Sequence, residues 1–131
     1  MMETLQPPGW GRPKGYANGI CASGRMVFVA GQVGWDEQEK FRTDDLVGQV
    51  QQALSNITTI LAQAGAKPTD IVRMNWYLAD AVEYNKRGAE IGAAYRAVIG
   101  KHFPAMTALQ VAGFVEAGAK VEIEVTAVIS D

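Results

Sequence analysis

The residues best suited to chemistry lie in the segment "KVEIEVTAV" at 120–128, near the end of the chain. Apolar and polar residues alternate strictly there, which predicts a β-strand with Glu122 and Glu124 on the same face. The two carboxylates are then about 7 Å apart along the strand, and either could accept a proton from a water molecule. Glutamates on a terminal strand are more often solvated surface groups, so the pattern alone leaves catalysis and solvation as alternatives.

Met106 stands in the middle of the stretch "PAMTALQV" at 104–111, between a predicted helix and the closing strands. Its flexible, polarisable side chain suits a pocket for an apolar or aromatic group, and a core position on an alternating strand is an equally good interpretation. We interpret His102, which lacks an orienting carboxylate nearby in the sequence, as a surface histidine. The single cysteine, Cys21, is interpreted as a small buried hydrophobe.

The composition excludes several classes of function. The net charge is −2 and no run of basic residues occurs, which argues against nucleic acid as the main partner. The chain has one cysteine, so it cannot form an intrachain disulfide. It has one histidine and no CxxC motif, so none of the usual zinc-binding motifs occurs. No apolar run approaches the ~20 residues that cross a bilayer, and the first residues lack an apolar signal core. We therefore expect no membrane partner, no metal site of the usual kind and a cytoplasmic location.

The elements that must position these residues can be predicted from the patterning. Residues 1–15, with three prolines and three glycines, predict an irregular arm on a single domain that spans 1–131. The turn signal "SGR" at 23–25 separates two short apolar runs and predicts a β-hairpin. Apolar residues at three- and four-residue steps predict one helix that ends near Gly65 and a second from the Asp80 cap to about Val98. Three further strands are predicted at 70–80, 106–111 and 120–129.

The resulting order is β-β-α-β-α-β-β, which predicts an α+β two-layer domain with two helices on one face of a mixed sheet. Alternate residues of the strand at 70–80 should face opposite sides, with Met74 and Trp76 on one face and Ile71 and Arg73 on the other. The second sheet face carries apolar residues among its polar groups and has no helix to cover it. An exposed apolar face usually marks an interface, so we predict self-association.

Several segments together resemble the RidA/YjgF family of enamine and imine deaminases, over about residues 15–130. They are "FVAGQVGWD" (28–36), "DIVRMNWYLAD" (70–80), "FPAMTALQVAGF" (103–114) and "KVEIEVTAV" (120–128). The resemblance implies a chorismate-mutase-like fold and a homotrimer whose sheets meet in a central barrel, with active clefts between subunits. It also implies hydrolysis of reactive 2-imino or enamino acids to 2-keto acids and ammonia, with no metal and no bound cofactor.

The same resemblance implies which residues form the cleft. The family's cleft tyrosine corresponds to Tyr16 in "KGYANG", and the pocket residue before "GQ", often serine in the family, is Ala30 here. The first glutamate of "VEIE", Glu122, would orient the attacking water. The family's arginine in the motif "P-A-R-S/T" grips the substrate carboxylate, and that position is Met106 here. The predicted site therefore has Glu122 as its catalytic residue and, as substrate-binding residues, Tyr16, Ala30, Gly31, Trp35, Met106 and Thr107.

Met106 changes the substrate that we expect. An arginine–carboxylate pair is charge-assisted and bidentate, whereas methionine offers no donor, so burying a carboxylate beside it is costly. Arg73 or Arg25 could replace the missing cation, although no spacing places either in the cleft. Trp35 stands where the family usually has a small or aliphatic residue, and Trp76 adds another large ring. We therefore predict a larger, less acidic molecule, such as a neutral cyclic enamine, an amide or a thioester.

Three functions remain in competition at this point. The leading hypothesis is a hydrolase for an imine or enamine other than the usual small acids. The second is a non-catalytic trimer that binds a small metabolite at the subunit cleft, which the missing arginine favours and the retained Glu122 and Tyr16 disfavour. The third is the ribonuclease activity ascribed to some family members, which is the least expected because the chain has no basic patch.

Overall fold

The computed structural model describes residues 1–131, which form six strands and three α-helices. A 3₁₀ turn at Pro68–Asp70 leads into the fourth strand. None of the three helices combines the length and apolar character that a membrane span requires. The elements in chain order are β1 Met2–Leu5, β2 Gly19–Ala22, β3 Arg25–Val33, α1 Leu46–Gln63, β4 Ile71–Leu78, α2 Ala81–Lys86, α3 Gly88–Val98, β5 Ala105–Gln110 and β6 Val121–Ile129.

The main sheet has four strands in the order β3-β6-β4-β5. Strand β6 is antiparallel to both of its neighbours, and β5 is parallel to β4, so the sheet is mixed. This confirms the α+β class with a mixed sheet that the sequence predicts. The predicted helix from Asp80 to Val98 is in fact two helices, because the chain leaves helical geometry at Arg87.

Two predictions for the first 33 residues are wrong. The predicted irregular arm contains a strand, β1, which pairs with β2 from Met2 opposite Ala22 to Leu5 opposite Gly19. The "SGR" turn does not close a hairpin, since β2 belongs to this small sheet and β3 to the main sheet. The hairpin prediction fails because β3 pairs with β6, which lies some hundred residues later in the chain. No local sequence pattern indicates that pairing.

Helix α1 is held on the sheet by an apolar stripe and by one buried amide. The Asp45 carboxylate caps its first turn by accepting from the Gly48 N–H at 3.2 Å. The Gln49 side chain is fully buried, and its Nε2 donates to the carbonyls of Thr43 (3.0 Å) and Gly118 (2.9 Å) while its Oε1 accepts from the Lys120 N–H (2.7 Å). These bonds fix the start of β6, the strand that carries both glutamates. The stripe consists of Leu46, Val50, Leu54, Ile57 and Leu61.

The two faces of the main sheet differ sharply in burial. Met74, Trp76 and Ile123 lie under the helices and are almost fully buried. Ile71 joins them, contrary to the prediction that it shares a face with Arg73, because the pairing of β4 with β6 is irregular between these two residues. The other face, here called the open face, has no helix over it. Its residues include Phe28, Ala30, Arg73, Asn75, Tyr77, Thr107, Glu122 and Glu124.

Two single residues also lie elsewhere than predicted. His102 is not a surface histidine: its ring Nε2 lies 2.7 Å from the Ile71 carbonyl, and its own carbonyl accepts from the Tyr95 hydroxyl at 2.5 Å. Both contacts hold the end of α3 against the sheet. Cys21 is exposed rather than buried, because β2 belongs to the small outer sheet and not to the core.

Candidate functional site

A β-bulge in β3 places Gly31 against the predicted catalytic glutamate. Val29 pairs with Val125 and Gln32 with Ile123, so β3 contains one extra residue across Ala30 and Gly31. A Cβ atom added to Gly31 would lie 2.1 Å from Oε2 of Glu122, so the carboxylate occupies the space that any other residue at position 31 would fill. Glu122 accepts no hydrogen bond from any group of the chain, which leaves both of its oxygens free for a ligand or water.

Glu124, the other carboxylate of the pair, is occupied. Its Oε1 accepts from the Tyr77 hydroxyl and from the Asn75 amide at 3.1 Å. The hydrogen bond to Glu124, helped by desolvation and by the negative charge of both glutamates, raises the pKa of the Tyr77 phenol. Two glutamates that look alike in the sequence thus have different states: Glu124 is fixed by its neighbours and Glu122 is available.

Met106 lies on the opposite face of the sheet and lines a cavity of about 360 Å³ beneath α2 and α3. It pairs with Met74 of β4, so both thioethers point towards the helices. This cavity, here called the Met106 cavity, is within the size range of small-molecule sites. Its side-chain lining comprises Met74, Trp76, Tyr84, Ile91, Tyr95, Phe103, Pro104 and Met106, together with Lys14, Asn85 and Arg96.

Four aromatic rings, those of Trp76, Tyr84, Tyr95 and Phe103, line the Met106 cavity. Trp76 meets Tyr84 edge-on at 6.1 Å between ring centroids, and Phe103 stacks on Tyr95 at 5.6 Å. Burial raises the pKa of both the Tyr84 and Tyr95 phenols, so both rings stay neutral in the physiological range. The indole Nε1 of Trp76 is buried and has no acceptor within the chain. The wall therefore suits a flat or bulky apolar group.

Two cationic side chains, those of Lys14 and Arg96, line the Met106 cavity, and no carboxylate does. Lys14 comes from the segment before β2, and Arg96 comes from the last turns of α3. Neither side chain forms an ion pair or a hydrogen bond with another group of the chain. The family resemblance does not point to Lys14 or Arg96. The sequence does hint that Arg96 faces an open space, because Gly88, Gly92 and Arg96 recur at the four-residue spacing of one helix face.

The remaining predicted site residues are dispersed within one chain. Tyr16 lines a separate shallow depression that shares only Phe103 with the Met106 cavity, although its neighbour Ala17 pairs with Ala105 at the edge of β5. Trp35 packs on Phe41 near α1, away from Met106. Thr107 and Ala30 lie on the open face, with Ala30 in a depression beside Arg73 and Glu124.

The arginines considered from the sequence do not reach Met106. Arg73 lies on the open face, and Arg25 donates to the Ala64 carbonyl at 3.4 Å. No group of three or more His, Cys, Asp and Glu side chains is placed to hold a metal ion. The predicted site residues of a single chain thus fall in two separate places, with Glu122 and Gly31 on one face of the sheet and the Met106 cavity on the other.

Comparison with known proteins identifies the group to which this chain belongs. The profile of the family described as "Endoribonuclease L-PSP" matches residues 12–129. The human 2-iminobutanoate/2-iminopropanoate deaminase is 29% identical over 129 residues, which cover 98% of this chain and 88% of that protein. The enzyme of the same name from Salmonella typhimurium is 32% identical over 116 residues, 86% of each chain.

A solved structure agrees in the fold. The Rid-family protein YyfB from Yersinia pestis, described as of unknown function, superposes with a TM-score of 0.85 at 29% identity, over 98% of both chains. The elements of the two chains therefore correspond almost throughout, including the main sheet. On these matches, the chain belongs to the RidA/YjgF family.

Proposed function

We propose that this protein hydrolyses a reactive imine or enamine to a carbonyl compound and ammonia, and that its substrate is larger than the small 2-imino acids named for its relatives. The observation that carries the proposal is the Glu122 carboxylate, which is held against Gly31 with both oxygens unpaired. A general base needs such an oxygen within hydrogen-bond reach of a water molecule. Its neighbour Glu124 is the poorer candidate, because its Oε1 already accepts hydrogen bonds from Tyr77 and Asn75, which stabilise the charged carboxylate.

The reaction needs only proton transfers at one water and one nitrogen. Glu122 accepts a proton as the water oxygen attacks the carbon of the C=N bond, and the nitrogen takes up a proton to give a carbinolamine. The C–N bond then breaks as the C=O bond forms, a second proton goes to the leaving nitrogen, and ammonia departs. One water is consumed, and Glu122 ends in its starting state, so no metal or redox partner is required.

The site also requires a second copy of the chain. Glu122 and Met106 lie on opposite faces of one sheet, so they can meet the same molecule only if they come from different copies. The open face supports such an assembly, because its apolar side chains are exposed in the single chain: Phe28 is 70% and Met26 56% accessible. Self-association through this face, combined with what the family resemblance implies, leads us to propose a homotrimer with its sheets facing a central barrel and its clefts between subunits.

The proposed substrate follows from the wall of the cavity. Met106 provides no donor for a carboxylate, and the rings beside it leave space for a flat or bulky apolar group. A substrate with a side chain of one or two carbons would leave most of the 360 Å³ without contacts. The imine of a large apolar or aromatic amino compound fits the same space better.

Imine hydrolysis is the direct test. An amino-acid oxidase generates either 2-iminobutyrate or the imine of phenylalanine, and semicarbazide traps whatever imine escapes hydrolysis. We expect the wild type to accelerate hydrolysis of the aromatic imine, Glu122→Gln to lower the rate about 100-fold or more, and Glu124→Gln, the matched control, to lower it far less. Met106→Arg should gain activity towards 2-iminobutyrate.

The same experiment decides the second candidate function. A non-catalytic metabolite-binding trimer is favoured by one observation, the thioether of Met106 in place of a carboxylate-binding donor. If neither the wild type nor any variant accelerates hydrolysis of either imine, while an aromatic ligand still binds, the protein is a binding module. Equal rates for wild type and Glu122→Gln would remove Glu122 from the chemistry.

A further inference from the structure

We propose that Arg96, assisted by Lys14, binds the acid group of the ligand in the Met106 cavity, while the aromatic wall binds its apolar body. The ligand class is then an imine or enamine that carries a carboxylate on a bulky or aromatic framework, rather than a neutral one. This inference rests on the proposed function for the reaction itself, but the binding that it describes can be measured separately.

The charge of the cavity is the first support. The whole chain carries a net charge of −2, yet the side chains that line this cavity include two cations and no carboxylate. Two of the other arginines are engaged in ion pairs: Arg87 pairs with Asp45, Glu83 and Glu90, and Arg42 pairs with Asp36. Arg96 and Lys14 have no such partner, so their charges remain available to an anion that enters the cavity.

The placement of the Arg96 side chain is the second support. Gly92 lies one turn earlier on α3, and a Cβ atom added to it would lie 3.2 Å from Nη1 of Arg96. The guanidinium therefore lies back along the helix over Gly92, where both residues line the cavity. Glycine inside a helix lowers helix stability relative to alanine, so a glycine here is consistent with a need for space under the guanidinium.

The position of the cations relative to Met106 defines the ligand. Arg96 lies on the helix side of the cavity and Met106 on the strand side, with Trp76, Tyr84 and Tyr95 in the wall. A ligand whose acid group meets Arg96 must place its remaining atoms on these rings and on the thioether. Arg96 is exposed and would bind a free anion weakly, so the apolar contacts and the charge contact must come from the same molecule.

Ligand binding tests the proposal without turnover. The probe is freshly prepared 2-oxo-3-phenylpropanoate, an aromatic keto acid without a C=N bond to hydrolyse, and its methyl ester is the uncharged match. We expect the wild type to bind the acid about 5-fold more tightly than the ester in calorimetry, which is the upper end of what an exposed charge pair contributes. Arg96→Gln should bind acid and ester alike, and Lys14→Gln should show a smaller loss of the same sign.

The control is Arg25→Gln, which removes the same charge far from the cavity and should bind the acid as the wild type does. The proposal is overturned if Arg96→Gln and Arg25→Gln bind the acid equally well, if the wild type does not distinguish acid from ester, or if it binds neither. Binding that depends on Arg96 without any imine hydrolysis would overturn the proposed reaction and leave this inference standing.

Discussion

Replacing Gly31 with alanine should remove activity with little effect on the fold. The backbone of Gly31 does not adopt a positive φ, so alanine fits the chain conformation without strain. The added methyl group meets the end of a flexible side chain: it would lie 2.1 Å from Oε2 and 2.9 Å from Cδ of Glu122. The carboxylate can move away by rotation of its own side chain, and it then leaves the position that we assign to the catalytic base.

The size of the effect follows from the distance that the oxygen must move. Nonbonded carbon and oxygen atoms pack at about 3.5 Å, so Oε2 must shift by roughly 1 Å or more. A displacement of about 1 Å from the productive geometry can lower a rate about 100-fold. The stability should stay the same or rise slightly, because alanine restricts the unfolded chain more than glycine does.

Measuring both imine hydrolysis and thermal unfolding separates displacement of the Glu122 carboxylate, which lowers the rate alone, from overpacking, which lowers stability. Gly34→Ala is the contrasting variant, because its Cβ would lie 2.6 Å from the backbone of Gln49 in α1, which cannot rotate away. We expect Gly34→Ala to lose about 1–3 kcal/mol of stability and Gly31→Ala to lose none. In a Glu122→Gln background, Gly31→Ala should add little to the loss of rate. Full activity of Gly31→Ala beside an inactive Glu122→Gln would refute the assigned position of the base.

Two further predictions concern groups that support the site. The hydrogen bond to Glu124 raises the pKa of the Tyr77 phenol, so this bond stabilises the fold below the unfolded pKa of about 10 and ceases to do so as the pH rises through the folded pKa. Tyrosinate absorbance of Tyr77, taken as the difference from Tyr77→Phe, should therefore appear at lower pH in Glu124→Gln. An unchanged titration would contradict this prediction. Gln49→Leu removes three hydrogen bonds to backbone groups and should cost about 3 kcal/mol in denaturant unfolding, whereas Gln51→Leu, on the exposed side of α1, should cost almost nothing.

Local patterns predicted those parts of the fold that depend on local physics. The stripe of α1 and the alternation of β6 are both visible in the sequence, because one buried face imposes its own period on a helix or strand. The pairing of β3 with β6 and of β1 with β2 joins residues far apart in the chain. The chain does bend at Gly24, which has a positive φ, but a turn signal does not specify whether the strands on its two sides pair with each other.

The sequence offers candidate site residues but not their arrangement in space. The family resemblance nominates Glu122 and Met106, and the alternation of β6 predicts that Glu122 and Glu124 share one face, as they do. Which face Met106 takes depends on the parallel register that sets it opposite Met74, and no local pattern contains that register. The different states of Glu122 and Glu124 follow likewise from Tyr77, which reaches only one of them across the ladder.

A cation on α3 costs less desolvation free energy in the unliganded protein than a cation on β5 would. Met106 is half-buried and packs against the core beside the fully buried Met74. An arginine at position 106 would therefore be partly desolvated in the unliganded protein, with no carboxylate in the lining to balance it. Arg96 lies on an exposed helix face and stays hydrated until an anion arrives, so its dehydration occurs only when a charge partner is present. If Arg96 binds the acid group as we propose, the strand side of the cavity stays free for an apolar wall, and the charge contact lies at the other end of the same cavity.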